Sequence, residues 1–120
     1  MIGSLYQVVI DCPEPRKLAK FYSEVLGLPV THDDPEWVSL GGGGNQVKVA
    51  FQQAPSLRRA QWPSDEHPQQ LHLDIEVTDV SHAETAVLAL GARRLPGEGD
   101  DFRVFEDPSG HPFCLVFDVG

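Results

Sequence analysis

Apolar and polar positions alternate through residues 5–12, with Val8, Ile10 and Cys12 on one side and Gln7, Val9 and Asp11 on the other. That period of two predicts a half-buried strand. At Pro13 and Pro15 the period changes. Leu18, Phe21, Tyr22 and Val25 recur at helical spacing, so a helix is predicted to start at the prolines, with Glu14 favourable at its N-terminal dipole. Gly27 supplies its left-handed end. The loop His32–Pro35, a short strand Trp37–Leu40, a hairpin turn through Gly41–Gly44 and a strand Val47–Gln52 are predicted to follow. Residues 70–77 alternate again, Leu71, Leu73, Ile75 and Val77 opposing Gln70, His72, Asp74 and Glu76. Asp79 or Ser81 caps a second helix, Ser81 and Glu84 fitting a capping box, with a buried stripe of Val80, Ala83, Val87 and Leu90 ending at Gly91. Asp107–Gly110 has the residues of a turn and joins two final strands.

The two halves therefore repeat one pattern of strand, amphipathic helix and short strands. Superposing them sets Gln7 against His72 and Lys48 against Cys114. The expectation is a single domain over residues 1–120. It comprises a first module (about 1–53), a linker (about 54–69) rich in Pro, Gln, Arg and Ser, and a second module (about 70–120). A duplicated half-sheet tends to close around a cavity, so the site is expected between the halves.

Charge narrows the partners. The net charge is −9, from 18 acidic and 9 basic residues, with paired arginines at Arg58-Arg59 and Arg93-Arg94. Such a surface repels phosphate backbones, so no nucleic-acid partner is expected. No apolar run suits a bilayer and the N-terminus lacks a secretory pattern, so no membrane partner and a cytoplasmic location are expected. There Cys12 and Cys114 are expected as thiols rather than a bridge. The glycine run at 41–44 is followed by no Lys-Ser/Thr pair and opens no helix, which argues against a phosphate loop.

Candidate chemistry sits on the strands. His72 and Asp74 share one strand face. They serve there either as a base and its orienter or as a ligand-positioning pair, unless that face is merely solvated. Cys114 lies in the run Phe113–Phe117. It is either a small buried hydrophobe or, if the phenylalanine face packs on helices, a thiol aimed into the cavity. A nucleophilic role would need a lowered pKa, for which Lys48 is the available source. Lys48 interrupts an apolar strand, as a solvated edge residue or as an ammonium for an anionic ligand or for Asp74. Trp37 and Trp62 belong to the core or line an apolar pocket.

The segments FYSEVLGL, HLDIEV and EDPSGHPFCLVF, in this order across nearly the whole chain, resemble the vicinal-oxygen-chelate superfamily and its small glyoxalase-like, bleomycin-resistance-type and dioxygenase-like proteins. The resemblance implies an α+β fold of two βαβββ modules forming an incompletely closed eight-stranded sheet around a cleft, usually as a homodimer. Metal-binding members carry ligands on the first and last strand of each module, positions that map onto Gln7, Lys48, His72 and Cys114. A protonated Lys48 has no lone pair to give, and Cys114 stands where Glu is usual. The expectation is therefore no metal cofactor; a divalent ion, if present, would lie near Gln7, His72 and Cys114. Two function classes follow. One is a metal-independent protein binding a small, partly apolar and, through Lys48, anionic molecule by Gln7, Trp37, Lys48, His72, Asp74 and Cys114. The other is an enzyme of lyase, isomerase or dioxygenase type, metal-dependent or with His72 and Asp74 as its catalytic acid–base pair. Ligand choice is expected in the loops 32–36, 53–69 and 95–101.

Overall fold

The computed structural model describes residues 1–44, 46–60, 62–63, 66 and 71–119. Much of the expected linker (61, 64–65 and 67–69) and Gln70 of the second alternating strand lie outside the described residues. Two compact units, Met1–Leu57 and Arg58–Gly120, each repeat the order βαβββ.

The first unit contains β1 (Val8–Cys12), α1 (Pro15–Leu26), β2 (Val30–Asp34), β3 (Trp37–Gly41) and β4 (Lys48–Gln53), in a sheet ordered β1-β4-β3-β2. β1 runs parallel to β4, Val8 beside Val49 and Ile10 beside Phe51, and the other pairs are antiparallel. The helix starts at Pro15 as predicted, because a residue with no N–H costs nothing in a first turn. It ends at Gly27, whose φ of 68° lets its N–H return to the Ser23 carbonyl. Leu18, Ala19, Phe21 and Tyr22 are buried, and Tyr22 stacks on Phe51 at 5.7 Å with Phe21 edge-on at 4.9 Å. The larger apolar ones, Leu18 and Phe21, each contribute about 1.5–3 kcal/mol by leaving water.

The glycine run is a hairpin turn, as its spacing predicted. Gly41, Gly42 and Gly44 all have positive φ, and a Cβ on Gly41 would stand 2.2 Å from the Val47 carbonyl oxygen. Residues 32–34, expected in a loop, instead lie in β2. Its exposed edge position removes the apolar alternation that would have announced it. The turn into β3 is held by Asp34, whose Oδ1 accepts the N–H groups of Glu36 (2.9 Å) and Trp37 (2.8 Å).

The second unit contains β5 (Leu73–Glu76), α2 (Val80–Ala89), β6 (Arg93–Glu98), β7 (Phe102–Glu106) and β8 (Pro112–Val116), ordered β5-β8-β7-β6. Asp79 caps α2 by accepting the His82 N–H, so the Asp79 alternative holds and Val80 opens the helix. Of the predicted stripe only Val87 is fully buried, Val80, Ala83 and Leu90 being half-buried. The turn at 107–110 is built around the buried Asp107, whose Oδ1 accepts the N–H groups of Ser109 and His111. Part of the expected loop 95–101 is strand β6, irregular between Arg94 and Glu98. Arg94 accommodates that irregularity by donating to the carbonyls of Leu95, Gly97 and Val104. In this unit Phe105 stacks on Phe113 at 5.6 Å, and Arg103 and Arg94 reach Glu84 of α2 from the same sheet face.

The ladders correct the predicted superposition. Val9 pairs with Ala50 in the first unit, and Asp74 with Cys114 in the second. With Gln7 held against His72, Val9 matches Asp74, so the counterpart of Cys114 is Ala50. Lys48 matches Pro112.

Candidate functional site

Side chains alternate across a strand, so β8 shows two chemistries on its two faces. Phe113 and Leu115 are fully buried on the face shared with Phe105, the side that meets α2. Cys114 therefore points to the opposite face, as the second of its two predicted fates required. Its ladder neighbours there are Asp74 and Val104. His72, two residues before Asp74, puts Nε2 3.3 Å from Asp74 Oδ1. The nitrogen of His72, a carboxylate oxygen of Asp74 and the sulfur of Cys114 all lie within 4.8 Å of one another.

These three groups lie in a pocket of about 540 Å³ whose other walls include Trp62, Phe102, Val104 and Val116. The volume is in the range of small-molecule sites, and the mixture of apolar walls with a few converging polar groups is their usual chemistry. Trp62 is fixed by an indole N–H that donates to the Pro96 carbonyl at 2.6 Å. Glu98 and Asp101 also line the pocket, so with Asp74 it carries three carboxylates and no lysine or arginine among its lining residues. Glu98 is partly balanced by Arg94 at 3.5 Å.

The cysteine departs from one expectation. Burial first, then the charge of Asp74 and a hydrogen bond to its carboxylate, push the Cys114 thiol above its ordinary pKa. A nucleophile needs the reverse shift, so the activated-thiolate role is corrected: alone, this group is a protonated donor. No disulfide links it to Cys12.

Gln7, Trp37 and Lys48 belong to the first unit. Gln7 Oε1 is buried with no hydrogen-bond partner among the described residues. The Trp37 indole N–H donates to Ser39 Oγ at 3.0 Å. The Lys48 ammonium donates to the Tyr6 hydroxyl and sits 4.0 Å from the centre of that ring. Of the six expected residues, then, His72, Asp74 and Cys114 share one pocket within one unit, while Trp37 and Lys48 take their described partners in the first and Gln7 lies there with its Oε1 buried. Glu98 and Asp101 fall in the segment 95–101 where ligand choice was expected, without being singled out, and Phe102 lies just beyond it. They sit around the β6–β7 connection, where no periodicity marks them. Trp62, expected either in the core or lining an apolar pocket, lines this one.

The superfamily implies a divalent ion, and the donor chemistry accommodates one. An imidazole nitrogen, a carboxylate and a thiol on neighbouring backbone positions are a borderline set that suits zinc-like ions. His72, Asp74 and Cys114 would hold such an ion, which when bound supplies Lewis acidity toward a ligand oxygen.

Duplicated βαβββ modules with polar groups gathered on the free face of a parallel strand pair define a vicinal-oxygen-chelate protein. Within that superfamily the chain belongs to the glyoxalase-like domain family, whose model matches residues 7–116. Solved structures share the fold. A glyoxalase/bleomycin resistance protein/dioxygenase family enzyme from Burkholderia phytofirmans is 17% identical with a TM-score of 0.75, covering 98% of this chain and 100% of its own. The fosfomycin resistance protein of Mesorhizobium loti is 16% identical, TM-score 0.70, covering 97% and 92%. That of Listeria monocytogenes, in complex with manganese(II) and a dihydroxypropylphosphonic acid, is 16% identical, TM-score 0.72, covering 97% and 90%. No protein of curated function matches the sequence.

Proposed function

We propose that this chain, acting in the cytoplasm as a homodimer, is a small-molecule-binding protein. Its ligand site includes the second unit's pocket, with His72, Asp74 and Cys114 as the polar floor. The observation that carries this is the pocket itself: apolar walls from Trp62, Phe102, Val104 and Val116 around three converging polar side chains. The anionic ligand expected from Lys48 is not what these charges favour. Lys48 is engaged by Tyr6, and the pocket's own ionisable groups are three carboxylates, one histidine and the protonated Cys114 thiol. A compact, partly apolar molecule carrying an amine fits them better.

Benzylamine is a suitable probe, with an aromatic ring for the walls and a cation for Asp74. In a Trp37→Phe background Trp62 is the sole tryptophan. Benzylamine should then change its fluorescence saturably, and Asp74→Asn should weaken binding several-fold. An unchanged emission up to millimolar amine, with the protein folded by circular dichroism, would count against the pocket as a ligand site.

Catalysis is the second function class, favoured by one observation: the His72–Asp74 contact at 3.3 Å on the pocket floor. An imidazole oriented by a carboxylate can take a proton from a bound ligand. Loss of turnover in His72→Gln, with benzylamine affinity retained, is the outcome expected of an acid–base role.

A further inference from the structure

We infer that the second unit carries a separate binding site for a small oxyanion, a phosphate ester or a carboxylate, held between the guanidiniums of Arg59 and Arg93. The two arginine pairs of the sequence supply one member each, and the amine pocket proposed above uses neither. Among the described residues, none lines both that pocket and this one.

Geometry brings the two cations together. Glu106 Oε1 stands 2.8 Å from Arg93 Nε and 3.5 Å from Arg59 Nη2, so both guanidiniums converge on one oxygen. Arg93 is the direct ladder partner of Glu106 between β6 and β7, which fixes its side of the pair. Arg59 is held from behind as well. Its guanidinium lies so close over Gly110 that a Cβ there would collide with its Nε. Both groups are thus positioned before a ligand arrives, which lowers the ordering cost of binding. Gly91, Asp107 and Pro108 complete a pocket of about 460 Å³, the size of a small-molecule site.

Burial decides the sign of the charge that a ligand meets. The lining holds two arginines and two carboxylates, but the carboxylates lie behind the arginines. The Asp107 side chain is fully buried, and it is engaged by the N–H groups of Ser109 and His111 and by the His111 ring. The Glu106 side chain is 10% exposed, against 55% for Arg59 and 74% for Arg93. Solvent therefore meets guanidinium. Each arginine gives Glu106 one nitrogen, and the other nitrogens have no further partner among the described residues. They form planar forks of N–H donors, the geometry that matches phosphate and carboxylate oxygens. Alternation sets Glu106 on the same face of β7 as Phe102 and Val104. One sheet face thus carries an anion-seeking site at one end and the acidic pocket at the other.

The test is calorimetry of the full chain at low salt with glycerol 2-phosphate and succinate as probes, neither of which has a ring or a cation for the acidic pocket. At least one should bind saturably at one site per chain, raise the melting temperature and lose affinity as salt is added. Arg59→Ala and Arg93→Ala should each weaken it about ten-fold or more, the scale of a lost charge-assisted hydrogen bond. Arg93→Lys keeps the charge and loses the fork, so it should weaken binding several-fold, and it stands in if the alanine variant fails to fold by circular dichroism. Arg58→Ala, next in the chain but outside the pocket, should leave the affinity unchanged. A preference for glycerol 2-phosphate identifies a phosphate ester as the ligand class, and a preference for succinate identifies a carboxylate. Neither saturable heat nor a raised melting temperature with either probe at millimolar concentration, full affinity in folded Arg93→Lys, or an equal loss in Arg58→Ala would each overturn the inference.

Discussion

Cys114 and Asp74 show how one neighbour sets a side chain's reactivity. The thiol is held protonated by burial and by the adjacent carboxylate, so in chelator-treated protein it should react slowly with iodoacetamide at about pH 8, where an ordinary thiol is partly ionised. Asp74→Asn removes the negative charge, lowers the thiol pKa and should speed alkylation several-fold, measured by mass spectrometry at Cys114. An unchanged rate would mean that burial alone holds the proton. Asp34 runs the other way. The hydrogen bond from His32, then the Glu36 N–H, hold its carboxyl below the ordinary carboxylate range. Its contribution to stability is therefore present above the unfolded carboxyl pKa and lost as pH falls through the lower folded value. His32→Ala should move the Asp34 midpoint upward in an NMR titration, with a small effect on stability because the pair is exposed. At this scale the sequence disclosed identity and face. His72 and Asp74 were placed together by simple alternation, and the thiol's true partner was not, since a ladder register is a long-range fact that spacing cannot supply.

Elements were legible wherever one face is buried. The first helix, with Pro15 at its start and Gly27 at its end, follows from local rules alone, and so do the hairpin at Gly41 and the turn at Asp107. Strands β2 and β6 were not legible. β2 is an edge strand exposed over most of its length, and β6 contains Pro96 and Gly97 and depends on Arg94 to satisfy its irregular carbonyls. Two predictions belong here. Gly41→Ala should destabilise the chain markedly, through both φ of 70° and the clash with the Val47 carbonyl, while Gly43→Ala, with only the Gln46 Oε1 at 4.0 Å, should be nearly neutral. Comparing the two melting temperatures checks this, and equal values would refute it. Phe51→Ala should cost about 3–5 kcal/mol in denaturant unfolding, because a fully buried ring stacked on Tyr22 leaves a cavity.

For the molecule as a whole, the duplication was visible in the sequence from its repeated strand, helix and glycine. The family match over residues 7–116 and the shared fold of the solved structures agree with it. None of the helices among the described residues is long and apolar enough to cross a membrane. The homodimer implied by the superfamily is checked by light scattering, which should give twice the chain mass of 13.2 kDa. A monomeric mass at working concentration would remove that part of the proposal. The lysine that interrupts an apolar strand was weighed without its neighbour Tyr6, whose phenol and ring both engage the ammonium, a contact that spacing alone does not disclose.

The matched ladder positions of the two halves have a last consequence. Where the second module presents sulfur and a carboxylate on paired strands, the first presents the methyl of Ala50 and the isopropyl of Val9. The two repeats therefore differ in chemistry at the matching spot, reactive side chains in one and inert ones in the other.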